Sequence, residues 1–362
     1  VSPAPRLRWA VQERTLGAVE DLDWAMDELA VALRMDPLAL RLKNYAEQDP
    51  EKNQPWSSKH LRRCYERGAE LFGWKSRPLA PGTLRHGDWH IGYGMATGIY
   101  KSERNPATAR ALLRPDGTLL VQSGTADAGP GTATIMTQIA ADASGLAPAA
   151  IRFELGDAAL PPAPLQAGSH TTTSEGSAVH EVCAALKTEL DRLRQQLPGA
   201  TDLPAGEVLQ RHKLPQLELT REAKPGPEAK THSGKSFCAN FVEVQVHALT
   251  GEVRVSRVVA VVDAGRVINQ QTARSQVLGS VAWGIGMALT EDARLDHRYG
   301  RFVTRDLADY HLPVCADLPP VTVEFINEPD YLIDPIGAKG LGEIGLIGFA
   351  AAVVATVVLR KR

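Results

Sequence analysis

The sequence predicts an α+β fold, with mixed sheets and helices packed against them. Two strand pairs are written out with their turns. Residues 236–247 alternate as a strand, Thr250-Gly251 makes the turn, and residues 252–262 return. Residues 107–124 do the same around Pro115-Asp116-Gly117. Helical spacing fills other stretches, chiefly 132–143, 177–196 and 272–289.

The chain has 362 residues, enough for two domains or one large one. Hydrophobic residues make up 44% and charged residues 23%, which suits a soluble globular protein. A net charge of -2 gives no sign of a nucleic-acid partner or an anionic membrane surface. Cys64, Cys183, Cys238 and Cys315 lie far apart, with no Cys-X-X-Cys pair. They read as free, mostly buried thiols and argue against a zinc or iron–sulfur site within this chain. The N-terminal residues carry no secretory signal, and the apolar run 344–359 is short for a membrane span. Val1 is not a natural initiator, which points to a chain beginning inside a longer protein.

In chain order, Leu22, Ala25, Met26, Leu29 and Leu33 recur at helical spacing, and Asp36-Pro37 restarts a helix. Residues 52–81 are polar and broken by prolines, with a helix from about 57 to 72, and read as a linker. A strand begins at Trp89. The loop 124–132 feeds the helix 132–143, and a glycine loop at a helix start can receive an anion on free amides. An ordinary strand–helix turn explains it equally well. Residues 168–176 form a run of hydroxyls before the helix expected at 177. They suit either phosphate or an N-cap region. His170 reads as a surface or hydrogen-bonded histidine and receives no metal role. Residues 197–235 show no clean period and read as a surface excursion. The helix 272–289 carries Gly279, Gly284 and Gly286, which imply close packing. A last strand is expected over 317–326.

The organising stretch is 334–348, where Glu343 stands among Gly337, Gly340, Gly342, Gly345 and Gly348. Glycines there allow close backbone approach or positive φ. An apolar helix-like run, 349–359, follows. A poorly solvated carboxylate at such a junction suits a general base. The bland reading makes Glu343 a capping or first-turn acid.

Ala338-Lys339-Gly340-Leu341-Gly342-Glu343 resembles the signature of molybdenum hydroxylase large subunits, the xanthine dehydrogenase and aldehyde oxidase family. Other matching segments follow the same order: Met26–Ala30 with Asp36–Asn44, the 124–132 loop, Gly168–Gly176, Gln276 in its helix, and 307–313. The wording of 337–348 is similar to the bacterial aldehyde oxidoreductase or isoquinoline 1-oxidoreductase branch. Pro130 stands where some members have glutamine, and residues 1–16 depart from the family pattern. Phe237, Cys238 and Ala239 sit where members hold small residues near the metal.

The resemblance implies the C-terminal cofactor-binding part of a molybdenum subunit. Residues 1–80 would be the helical tail of the preceding domain plus a linker, and 81–362 the second cofactor-binding domain. It implies a molybdenum pyranopterin, as the cytosine dinucleotide, held by Gly129, Gly131, Thr132, Gly168, Ser169, Thr171, Gln276, Lys339, Gly340 and Gly342. No metal ligand from the chain is expected, because the pterin dithiolene and a sulfido group supply sulfur. Glu343 would be the base in hydroxylation of an aldehyde or N-heteroaromatic carbon, with water as the oxygen source. Expected partners are the missing N-terminal half, an iron–sulfur subunit with [2Fe–2S] clusters and an FAD subunit. The expected compartment is the cytoplasm, or the periplasm by co-export. Two other readings stay open: an incomplete, inactive fragment that only binds partners, and a nucleotide-binding module using loops 124–132 and 168–176.

Overall fold

The computed structural model describes residues 16–78, 82–198 and 203–358. Helices α1 (Leu16–Ala32), α2 (Pro37–Lys43) and α3 (Leu61–Phe72) lead into strands β1 (Arg85–His86) and β2 (Trp89–Lys101). A middle segment carries β3 (Ala107–Leu113), β4 (Leu119–Gln122), α4 (Thr132–Ser144) and β5 (Ile151–Glu154). It continues through α5 (Thr171–Gln195), α6 (Ala205–Arg211) and β6 (Leu217–Ala223). The chain then returns as β7 (Lys235–His247), β8 (Val253–Asp263), α7 (Gln270–Ile285), β9 (Val321–Phe325) and α8 (Phe349–Val358).

β2 and β7 pair antiparallel along their whole length, although the middle segment separates them in sequence. They centre a five-stranded sheet of order β9-β8-β7-β2-β1, in which β9 runs parallel to β8. Both faces are covered, so β7 is an unbroken buried run from Ser236 to Val242. Phe237, Ala239 and Phe241 point to one side, where Leu61, Tyr65 and Phe72 of α3 complete an aromatic-rich core. Val242 and Val244 point to the other side, against Val281 and Ile285 of α7 and Phe349 and Ala352 of α8. The helix of the stretch 52–81 is thus built into the sheet's core.

α8 lies close on β2 because β2 is rich in glycine. A methyl group on Gly94 would sit 2.0 Å from the Ala352 carbonyl oxygen. α1 and α2 are joined by buried Arg41, whose guanidinium meets Asp23 at 2.7 Å and Asp27 at 2.6 Å. The Thr97 amide donates to the other Asp23 oxygen at 3.0 Å, which ties this helix pair to β2.

The middle segment makes its own four-stranded sheet of order β5-β4-β3-β6. β4 and β5 are parallel and α4 crosses between them. α4 and α5 bury Met136, Ile139, Val179, Val182 and Leu186 against the sheet. Two sequence expectations change here. The hydroxyl run 171–174 is the first turn of α5, not a loop before it. Its hydroxyls bond back into the helix end, with Thr173 donating to the His170 carbonyl and Ser177 to the Thr173 carbonyl. The supposed surface excursion 197–235 holds α6 and β6. Ala205, Val208, Leu209 and Ala223 are buried in the same core, and β6 is ordered by pairing with β3.

Candidate functional site

A cavity of about 600 Å³ opens between the middle segment, α7 and the loop before α8. Three helices begin at it. α4 starts beside the cavity with Thr132, α5 with Thr171 and Thr172, and α7 with Asn269 and Thr272. The helix dipole makes each start favourable to negative charge, although side chains of this chain already accept from amides at α4 (Asp127) and α7 (Asn269).

The loop before α4 turns on Gly129 (φ 113) and Gly131 (φ 86). A methyl on Gly131 would sit 3.0 Å from the Thr272 side chain, so this loop rests on the start of α7. The Gly129 and Gly131 amides already donate to Asp127, at 2.9 and 3.3 Å. The Thr132 hydroxyl accepts from Gln166 at 3.1 Å.

α7 presents one face to the cavity: Thr272, Gln276, Gly279, Ser280 and Trp283. This is the i, i+4, i+7, i+8, i+11 series of a single helical face. Val277, Val281 and Ile285 face the core. Of the three α7 glycines expected to mark close packing, Gly284 does so, since a methyl there would meet Phe349 at 2.5 Å. Gly286 is also filled, by Glu291 and Pro313, whereas Gly279 faces open space.

The hydroxyl loop and the glycine-rich loop meet directly. Ser169 has a left-handed backbone (φ 56), uncommon for a residue with a side chain. A methyl on Gly342 would sit 2.9 Å from the Ser169 hydroxyl, and one on Gly340 would sit 3.1 Å from its carbonyl oxygen. Both glycines therefore pack closely on Ser169, while Gly337 and Gly348 take φ 76, where glycine is favoured.

Glu343 lines the cavity and is the one carboxylate among the described lining residues. It lies in consecutive turns, and α8 begins only at Phe349. The reading of Glu343 as a capping or first-turn acid therefore fails. The Tyr100 hydroxyl faces this carboxylate. Burial first, and then Glu343, push the Tyr100 phenol up.

Of the residues expected at the site, Gly129, Thr132, Gly168, Ser169, Thr171, Gln276, Lys339, Gly342 and Glu343 line the cavity. Gly131 and Gly340 stand just behind the wall. Lys339 contributes backbone only. Its side chain is fully buried and its ammonium turns away to Asp263 at 3.0 Å. Phe237, Cys238 and Ala239 are core residues, not cavity walls. Burial pushes the Cys238 thiol up. Cys64, Cys183 and Cys238 are buried free thiols and Cys315 is exposed.

Sequence reasoning missed Gln166, Arg266, Asn269, Thr272 and Trp283. Asn269 carried a signal, since Asn before a helix is a preferred N-cap, and its side chain accepts from the Gln271 and Thr272 amides. Trp283 follows Gln276 by two helical turns on the same face.

The donors present suit an anionic, hydrogen-bonding organic group. They are hydroxyls, side-chain amides and three helix starts around a glycine cradle. Among the described residues no cluster of three or more His, Cys, Asp or Glu could hold a metal ion. A metal here would be carried by that group's own donors, and a molybdenum pterin fits on those terms.

The class follows from comparison with known proteins. Residues 67–319 match the Molybdopterin cofactor-binding domain family, and the chain belongs to it. The chain is 36% identical over 346 residues to the aldehyde oxidoreductase molybdenum-binding subunit PaoC of Escherichia coli K12, covering 93% of this chain and 47% of that one. It is 30% identical over 368 residues to the xanthine dehydrogenase molybdenum-binding subunit of Escherichia coli O157:H7, covering 93% and 48%. Among solved structures, quinoline 2-oxidoreductase from Pseudomonas putida 86 superposes with a TM-score of 0.83 at 21% identity, covering 95% of this chain and 49% of that chain. Aldehyde oxidoreductase from Desulfovibrio gigas gives 0.78 at 25% identity, covering 94% and 38%. The α+β class and the resemblance to molybdenum hydroxylase subunits both stand. The chain spans about half the length of the curated relatives it matches.

Proposed function

We propose that this chain is the cofactor-binding, C-terminal part of a molybdenum hydroxylase acting on aldehydes or N-heteroaromatics. The convergence of three helix starts on one cavity whose single described carboxylate is Glu343 supports this best. When bound, a molybdenum pyranopterin supplies the two-electron oxidation of the substrate carbon.

The chain's own residues do the rest. The starts of α4, α5 and α7 hold the group's anionic part. Ser169 and Thr171 offer hydroxyls and Gln276 an amide. The amides of Gly129 and Gly131 join them by exchanging Asp127 for the ligand. Glu343, held at the cavity wall, takes the proton as general base. Trp283 gives an apolar wall for a flat or aromatic substrate.

In this reading the boundary near residue 80 separates sequence of a preceding domain from the cofactor domain, but α3 of the expected linker is built into the core of the cofactor domain's sheet. The cofactor is the cytosine dinucleotide form. The missing half of the subunit, an iron–sulfur subunit and an FAD subunit complete the electron path. Among the described residues no helix is long and apolar enough to cross a membrane. We place the assembly in the cytoplasm, with periplasmic co-export as the alternative.

A second reading is a chain that binds partners only. A chain spanning about half of its relatives would act only as a folded, partner-binding domain if nothing supplies the rest. Molybdenum and pterin content of the protein from its host, with whatever copurifies, separates the two. Stoichiometric cofactor is expected. Glu343→Gln should keep that cofactor and lose at least about a hundredfold in turnover, the usual scale for a positioned acid or base. Near-normal turnover would sink the assignment of the base, and a folded chain without cofactor or partners would favour the second reading.

A further inference from the structure

We propose that Lys339 is a positioning residue: its buried ammonium, gripped by Asp263 and Ser58, fixes the loop that presents Glu343 to the cavity. This rests on the reading of Glu343 as the base.

Lys339 sits four residues before Glu343, and its side chain has no exposure. Its ammonium lies 3.0 Å from Asp263, the last residue of β8, which is equally buried. It also donates to the Ser58 hydroxyl at 3.1 Å. Ser58 in turn donates to Asp330 at 2.7 Å, beside Ser57 at 2.6 Å. The second Asp263 oxygen accepts from the His60 amide at 2.8 Å, just before α3. Burial opposes ionisation of Asp263, but His60 and Lys339 outweigh it and hold the carboxyl down at about 2. One buried network therefore joins three separate pieces of chain: residues 57–60, the end of β8 and the 330–340 loop.

The backbone reinforces it. The Lys339 amide donates to the Ala264 carbonyl at 2.9 Å and the Arg266 amide to the Gly337 carbonyl at 2.7 Å. Gly340 is held on both sides, its amide by Ser102 and its carbonyl by Ser236. Past Gly340, Ser280 donates to the Gly342 carbonyl at 3.5 Å and the Ile344 amide to the Leu341 carbonyl at 3.2 Å. Leu341-Gly342-Glu343 is thus held between two anchors, the Lys339 network before it and Asn240, which donates to the Gly345 and Ile347 carbonyls, after it. A buried ion pair is weak evidence for stability, because desolvation cancels much of its attraction. Its attested use is to fix one register among several, which is what a loop carrying a catalytic carboxylate requires.

Hydrogen exchange of the full chain, read on peptides covering 338–347, tests this without cofactor. Ser58→Ala removes the bridging hydroxyl and should leave the melting temperature unchanged. It should speed exchange at 341–344 by about tenfold through local opening. Ser58→Thr keeps the hydroxyl and should restore the original rate. The paired apolar replacement Lys339→Met with Asp263→Leu should show the same local acceleration if it folds, and the Ser58 pair decides if it does not. Unchanged exchange at 341–344 in Ser58→Ala would overturn the proposal. So would acceleration spread evenly over the chain, which marks a purely structural role. Because no turnover is measured, this proposal can fail while the Glu343 assignment stands, and the reverse.

Discussion

Glu175 gives the sharpest physical prediction. It lies in the first turns of α5, next to the cavity-lining Thr171 and Thr172, and is fully buried. Among the described residues neither carboxyl oxygen has a hydrogen-bond partner. The nearby Ser123 hydroxyl donates to the Thr108 carbonyl at 3.0 Å. Burial therefore dominates and pushes the Glu175 carboxyl up from 4.5 to about 7, with Ser123 offsetting little. The folded state holds this proton more tightly than the unfolded state. The penalty is absent below about pH 4.5, grows as pH rises, and is complete above about pH 7. The shift amounts to about 3 kcal/mol at most. Glu175→Gln keeps the shape and cannot ionise. From pH 5 to pH 8 its stability relative to the parent should rise by about 2 to 3 kcal/mol. Asp334, pushed up to about 7 by burial, and Asp23, pushed up to about 6, titrate nearby but cancel in the difference. Urea unfolding of both proteins at the two pH values reads it. An equal stability gap at pH 5 and pH 8 would refute the reasoning.

Two further predictions concern the frame that holds the site. Gly94→Ala drives a methyl onto the Ala352 carbonyl and should cost at least about 1–3 kcal/mol, seen as a lower melting temperature. Parent-like melting would mean that α8 can move off β2 freely. Arg41→Met leaves Asp23 and Asp27 buried without their cation and should cost about 3–5 kcal/mol. A loss below about 1 kcal/mol, the scale of an exposed pair, would contradict the burial of this network.

Much of the fold was legible because its signals are local. The strand pair 236–262 shows its alternation and its Thr250-Gly251 turn, and β7 and β8 form there. The apolar run after Gly348 forms α8. Within the site, the glycine-rich run and the hydroxyl run stood out by composition and Gln276 by the family resemblance, and the structure brings them to one cavity. Residues 205–223 were unreadable for the opposite reason. β6 is an edge strand with Glu218, Thr220 and Glu222 turned outward, and only pairing with β3 orders it. The start of α5 was misplaced because serine and threonine favour caps as much as helices, and contacts with the 103–105 segment decided it.

Residue type and spacing alone marked 337–348 as a glycine-rich run in which Glu343 is the acid. Direction was decided only by the tertiary structure. Lys339 stands in the same motif as Glu343, and both carry charge, yet one side chain is drawn back to Asp263 and the other meets the cavity. A sequence states which groups are present. The counter-charge that lies beneath a loop comes from a segment distant in numbering, as Asp263 of β8 does for Lys339, and electrostatics in a buried site acts only over a few ångströms.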